Sequence, residues 1–353
     1  MKTPQHFQLK IFQEINKSNI GSNLMVSPLS IYHILSLTTN GAANQTLEEM
    51  LKALCHQNKN EMNSENKSLS SSIEKIQSIE MANAVFTKFK PESQFVSMIK
   101  AYKSTIDVLK NVEQVNKWCS DATHQKIQNI LDELTPNDLM VLINAIYFKG
   151  IWKKTFDKNK TYPNNFNNFN KTPIEKDFMN ITDNFDYFEN DDFQSISLNY
   201  NKDNLKALII LPKKDDINTY ISNFSSEKYV DIIKNLNNTK VNLSLPKFEI
   251  NFSARLEQNF ISLGMVIPFS DNADFSGMTT EHKLKIGRII HKTFIKVDEE
   301  GTEAAAATAV VMTKRCFIPT LAMNVDHPFL FIIRADDLPP EHDILFVSKI
   351  ESL

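Results

Sequence analysis

The chain has 353 residues, of which 42% are hydrophobic and 23% charged, enough to bury a large core and ordinary for a water-soluble protein. Lys and Arg total 39 against 42 Asp and Glu, a net charge of −3, and the basic residues are dispersed rather than gathered into a stripe, which speaks against nucleic acid as a partner. No apolar run approaches the roughly 18 residues a membrane-crossing helix needs, so no membrane partner is expected.

Near the start, Phe7, Ile11, Phe12 and Ile15 share one helical face, which predicts an amphipathic first helix. In the following stretch Ser27 can cap and Pro28 can take the first helical position. Residues 31–37 are apolar nearly all round, as a helix inside the core should be. Asn40-Gly41 ends it, and a shorter helix is predicted over 46–54. Residues 56–74 are polar and rich in Asn and Ser, which predicts an exposed loop or frayed helix. A strand follows over 81–86, a helix over 93–102 and a longer amphipathic helix over 112–131. The run 139–152 is almost continuously apolar and reads as a strand buried on both faces, inside which Asn144 needs a hydrogen-bond partner. Two strands are predicted within 188–212, short helices over 219–236, and a 14-residue alternating stretch at 240–253. A helix near 256–263, a turn at 272–277 and strands over 283–297 and in the C-terminal residues complete the pattern. No repeat or linker divides the chain, so one α+β unit spanning residues 1–353 is expected.

Three cysteines, Cys55, Cys119 and Cys316, match no metal or disulfide framework. The first residues lack the apolar core of a cleavable signal peptide, so a cytoplasmic location, or release without a leader, is expected. Catalytic signatures are missing: no nucleophile elbow, zinc helix or phosphate-binding glycine loop occurs. The eight histidines are scattered. His291 lies in an apolar strand and reads as a buried histidine bonded to a polar neighbour rather than a general base. Neither an enzyme nor a cofactor or metal is expected. Seven Lys and Arg fall within 283–315, but interspersed with acids and apolar residues as on solvated strand faces.

The most unusual stretch runs from 299 to 319. Gly301 is followed by Thr302, Glu303, Ala304, Ala305, Ala306, Ala307 and Thr308, and further on by Lys314, Arg315 and Cys316. Alanine favours a helix, yet no side chain over 302–308 is large enough to anchor one in a core. The other reading is a loop whose first half can become a strand, with Thr302, Ala304, Ala306 and Thr308 on one face at period two. Small side chains suit entry into a sheet that is already packed.

The second helix with its continuation (23–50), the run LINAIYFKGIWKKTFD, the stretch HKTFIKVDEEGTEAAAATA and the segment DHPFLFIIR together resemble the serpins, in order and over essentially the whole chain. The resemblance implies the serpin fold: three β-sheets, eight or nine helices and an exposed reactive-centre loop at about 299–319. It implies a suicide inhibitor, in which a protease cuts the loop and the freed segment inserts into the main sheet before the acyl-enzyme hydrolyses; loop insertion of this kind is itself a standard example of strand addition and stored strain. In the family register the reactive bond falls fourteen residues beyond the hinge glycine, at Arg315–Cys316, with Lys314 the near alternative. An arginine there implies a trypsin-like serine protease as partner in a covalent 1:1 complex, the inhibitor itself being a monomer that can form loop-sheet polymers. Ser27, Ser30, Asn144 and His291 resemble the cluster beneath the opening point of the sheet. Trp152, Lys247 and Glu299 resemble the group at its top, with Lys247 and Glu299 as an ion pair. Region 56–74 lacks the basic helix of glycosaminoglycan-activated members, which argues against heparin activation. The alternatives are a non-inhibitory chaperone or carrier, and an inhibitor of chymotrypsin-like or cysteine proteases.

Overall fold

Helix α1 (Pro4–Lys17) buries Phe7, Ile11, Phe12 and Ile15, as their spacing requires. After strand β1 (Leu24–Val26), the Ser27 side chain accepts the Ser30 N–H and Pro28 opens α2 (Pro28–Thr39), every residue of which is buried. Helix α3 (Asn44–Ala53) follows. The computed structural model describes residues 4–136, 138–214, 216–302 and 320–353.

Residues 56–74, expected as an exposed loop or frayed helix, do contain a helix, but a packed one rather than a frayed one. They hold α4 (Lys59–Ile73), capped by Asn58 and burying Met62, Asn66, Leu69, Ser70 and Ile73. These positions lie on one helical face, but two of the five are polar, which hides the stripe from a hydrophobicity pattern. Strand β2 (Ile79–Thr87), helix α5 (Ser93–Ala101) and strand β3 (Thr105–Val108) lead to α6 (Val112–Ala122). That helix is shorter than the predicted 112–131. His124 and Gln125 take φ values of 48° and 64°, a left-handed conformation that ends a right-handed helix, and the Thr123 hydroxyl accepts the Ile127 N–H instead.

Strand β4 (Met140–Phe148) is buried along its whole length, as its unbroken apolar run demands, and β5 (Gly150–Ile151) continues its line. The chain then forms β6 (Tyr162–Asn167), the 17-residue β7 (Pro173–Glu189), β8 (Phe193–Asn199) and β9 (Leu205–Pro212). Helices α7 (Ile217–Ser222) and α8 (Ser226–Asn235), strands β10 (Asn237–Pro246) and β11 (Phe248–Arg255), and helix α9 (Glu257–Ser262) follow. Strand β12 (Arg288–Val297) begins five residues later than predicted, because the Ile286 N–H is drawn to the Pro268 carbonyl rather than to a neighbouring strand. The two-residue β13 (Gly301–Thr302) turns back against it, and β14 (Leu321–Asn324), β15 (Phe329–Ala335) and β16 (Ile344–Ile350) complete the chain.

By hydrogen bonding the strands form two networks, one of nine strands and one of seven. In the larger, β7 pairs β6 over 173–178 and β8 over 186–189, while β10 runs alongside its middle. One long strand thereby joins what would otherwise be two separate sheets. The smaller sheet has the order β3-β2-β4-β12-β13-β5, with β11 on the other side of β12. Its faces are covered differently. The main core, with α2, lies under one face, and a smaller apolar cluster that includes Val115 and Cys119 of α6 lies over Phe86, Val141, Ile143 and Ile290 on the other.

Candidate functional site

The centre of interest is the seam between β4 and β12. These strands run parallel over seven register pairs, from Val141 opposite Arg288 to Tyr147 opposite Phe294. Above that point β13 enters between them. Gly301 and Thr302 pair with Ile151 and Gly150 of β5 on one side, and Thr302 pairs with Val297 on the other. Both contacts are antiparallel, and the gap they fill is one rung deep.

Residues 298–301 form the turn that sends β13 back into the sheet. The Asp298 N–H donates to the Gly301 carbonyl at 3.0 Å, and the Asp298 carboxylate accepts the Glu300 and Gly301 N–H groups at 3.0 and 3.3 Å. Gly301 sits at φ 156°, and a Cβ there would lie 2.0 Å from the Gly150 carbonyl oxygen, so only glycine fits. Thr302 is fully buried and its hydroxyl meets the Tyr200 hydroxyl at 2.8 Å. Tyr200 in turn stacks on Trp152 at 4.4 Å between ring centroids and meets Phe148 edge-on.

Trp152, Lys247 and Glu299 come together at this upper end. The Trp152 indole donates to the Asp298 carbonyl at 3.0 Å, and its backbone N–H to the Glu300 carbonyl at 2.9 Å. Glu299 is buried and accepts from Lys247 Nζ at 3.2 Å and Thr161 Oγ1 at 2.8 Å. Burial pushes the Glu299 pKa up, but hydrogen bonds from its own backbone, Thr161 and Lys247 outweigh that and hold it below the usual carboxylate value.

Lower down, Ser27, Ser30, Asn144 and His291 meet beneath the middle of the seam, where Asn144 and His291 are register partners. The Ser27 N–H donates to His291 Nε2 at 3.1 Å. That nitrogen must therefore be unprotonated, and Nδ1 carries the hydrogen that Asn144 Oδ1 accepts at 2.5 Å. The Asn144 amide donates to the Ser30 carbonyl at 3.0 Å, to the Ser30 hydroxyl, and to Asn83 Oδ1 at 2.5 Å.

The line of polar contacts extends beyond the four residues expected. Asn83 donates to His33 Nδ1 at 3.2 Å, and His33 Nε2 reaches Ser70 Oγ at 3.1 Å. Burial lowers the pKa of His291 to about 3 and of His33 to about 4, so both rings are neutral. The sequence signal for Asn144 and His291 was an asparagine and a histidine inside strands otherwise apolar, where each must find a partner. Tyr200, Thr161 and Asp298 carried no such signal.

Glu303, Ala304, Ala305, Ala306, Ala307, Thr308, Lys314, Arg315 and Cys316 lie outside the described residues. Among the described residues Cys119 is a buried thiol in no disulfide, no group of three or more His, Cys, Asp or Glu could hold a metal ion, and no helix is long and apolar enough to cross a membrane.

A family profile described as Serpin (serine protease inhibitor) matches residues 2–353. The chain belongs to the serpin family. This serpin is 33% identical to the leukocyte elastase inhibitor of Xenopus laevis, over 98% of its own length and 97% of that protein. It is 32% identical to human serpin B8, with 93% of each chain covered. The thermophilic serpin tengpin in its native state superposes with a TM-score of 0.90 at 30% identity, over 99% of this chain and 93% of that one. Human thyroxine-binding globulin superposes with a TM-score of 0.89 at 26% identity, over 99% and 97%. Protease inhibitors are among its relatives, and the fold also serves a thyroxine-binding protein.

Proposed function

We propose that this serpin is a suicide inhibitor of trypsin-like serine proteases, cut at Arg315–Cys316 and trapping the acyl-enzyme by insertion of its hinge into the seven-stranded sheet. The observation that carries the reading is the register of β13. Continuing its ladders with β12 and with the line of β5 and β4 brings the same residues to the same rungs from both sides. Ala304 falls between Phe148 and Ile295, Ala306 between Ile146 and Thr293, and Thr308 between Asn144 and His291.

Thr302, Ala304, Ala306 and Thr308 then face inward, all of them small enough to enter between strands already packed. Thr308 supplies a hydroxyl where insertion separates Asn144 from His291. Glu303 faces outward between Lys149 and Lys296. On this reading Ser27, Ser30, Asn144 and His291 hold the seam shut until it parts, and Trp152, Lys247 and Glu299 hold its mouth.

Insertion exchanges one parallel ladder of seven rungs for two antiparallel ones. At about 1 kcal/mol net per added hydrogen bond, the gain is about 7 kcal/mol, comparable to the whole stability of a small domain. The partner is a serine protease in a covalent 1:1 complex. The inhibitor acts as one 353-residue unit, monomeric before reaction, in the cytoplasm or after release.

Incubation with trypsin tests this. An SDS-stable complex with the cut mapped by mass spectrometry to Arg315–Cys316 is expected, and the cleaved protein should melt far above the intact one. Clean cleavage without a complex, and no rise in melting temperature, would favour a carrier or chaperone. Trapping of chymotrypsin-like or cysteine proteases in place of trypsin would move the target.

A further inference from the structure

On the outer face of the seven-stranded sheet, beside the mouth of the seam, lies a groove of about 730 Å³. Three cations from different parts of the chain line it, Lys149 from between β4 and β5, Lys202 from the turn between β8 and β9, and Lys296 from β12, while Lys126, also at its wall, lies over the Phe294 ring. Two acids face them, and both are engaged. Glu80 is bound to His124 at 2.7 Å, and the Asp298 carboxylate accepts the two N–H groups of its own turn. The groove therefore has a formal excess of positive charge in a concave setting, which focuses the field on a ligand.

We propose that this groove binds a compact soluble polyphosphate. Ammonium groups act as point charges well suited to phosphoryl oxygens, and one exposed lysine contributes little alone because water and salt screen it. Several reached at once by one multiply charged anion do not share that weakness. The cations converge on a single groove instead of following a track, which selects a compact anion over a long sulfated chain.

The position gives the site a consequence, and this part rests on the insertion reading. The groove is lined from both banks of the seam, by Lys149, Gly150 and Ile151 on one and by Lys296 and Asp298 on the other. An anion bridging Lys149 and Lys296 ties the banks together where the next rung must enter, and it competes for the place that insertion gives to Glu303. Occupancy should therefore slow insertion and divert cleaved molecules to hydrolysis.

The test is calorimetric titration of the intact protein with sodium tripolyphosphate at fixed ionic strength, with ATP titrated in parallel to distinguish a nucleotide from a bare polyphosphate. One saturable site is expected, weakened about tenfold or more in the double variant Lys202→Gln/Lys296→Gln, which removes two of the charges that act together. The distant exposed Lys100→Gln should bind as the parent does. No saturable heat, or equal affinity in the double variant, overturns the site. Trapping of trypsin should slow about tenfold at saturating tripolyphosphate, a change equivalent to about 1.4 kcal/mol; binding with an unchanged trapping rate refutes the clamp. Calorimetry does not depend on inhibition, so a protein that binds through these lysines but never traps trypsin counts against the proposed function and not against the site.

Discussion

Replacing Thr302 with arginine places a charge at a hinge position already inside the sheet. The side chain there is fully buried, flanked by the Gly150 and Val297 backbones, and its polar neighbour is the Tyr200 hydroxyl at 2.8 Å. Tyr200 is held neutral by burial, its pKa raised despite the Thr302 hydrogen bond. A guanidinium at that spot has no countercharge, and a buried charge without its partner costs about 3–5 kcal/mol. The charge should expel β13 from the sheet in the intact protein, so that insertion must bring it back in, and even 3 kcal/mol for that re-entry slows insertion by more than about a hundredfold relative to acyl-enzyme hydrolysis. The stoichiometry of inhibition should then rise from near one trypsin per inhibitor to a regime in which nearly every molecule is consumed as substrate. Densitometry of SDS gels across a titration reads this directly. Thr302→Val isolates the hydroxyl, and losing one hydrogen bond of about 1 kcal/mol should shift the partition only about fivefold. If Thr302→Arg still traps trypsin at the parental stoichiometry, the inward register of the hinge is wrong.

Acid should loosen the seam. His291 and His33 have folded pKa values of about 3 and about 4, below the ordinary 6.5. The stability held by their neutral forms is thus complete above pH 6.5 and declines as pH falls from there towards 4 and 3, by about 1.4 kcal/mol per histidine per pH unit at most. The melting temperature of the uncleaved protein should fall over this range, and His33→Gln should flatten the slope; an identical slope in the variant excludes His33 as a contributor. Gly301→Ala pushes a Cβ into the Gly150 carbonyl and should expel β13. Faster hydrogen exchange at the Thr302 amide would report it, and unchanged protection would refute the packing argument. Glu299→Gln removes the ionic part of the Lys247 contact but keeps a partner for Thr161, so a loss of about 1–2 kcal/mol is expected by denaturant titration. No loss would mean that the pair is solvated in practice.

Much of the scaffold was legible because burial was complete. A helix with every residue buried, as α2 is, and a strand buried along its length, as β4 is, have apolar runs that no surface element tolerates. Helix α4 was not legible. Asn66 and Ser70 occupy inward positions there, Ser70 against His33 of α2 and Asn66 against the Met62 carbonyl of its own helix and the Tyr32 hydroxyl of α2, contacts that propensity does not encode. The end of α6 was missed for a related reason, since the left-handed residues 124 and 125 are neither glycine nor asparagine. At the site, the small residues of the hinge and the lone Asn144 stood out. Asn83, His33 and Ser70 did not, because each becomes meaningful only once β2 lies beside β4 and α4 packs against α2. Tyr200 lies far in sequence from the residue it meets, and nothing in the pattern linked it to Thr302.

The two ends of residues 303–320 are held in different sheets. Thr302 is fixed in the seven-stranded network by β13, and Leu321 in the nine-stranded one by β14, which pairs with β10 over four residues at the edge. On the insertion reading, an uncut chain feeding further into the seam advances β13 and so pulls on the other mooring, the four-residue parallel edge strand β14. Hydrolysis of one peptide bond between them uncouples the sheets at a stroke. On that reading, the four residues of β14 share in setting the lifetime of the intact molecule with the residues that hold the seam, although their sheet takes no part in insertion.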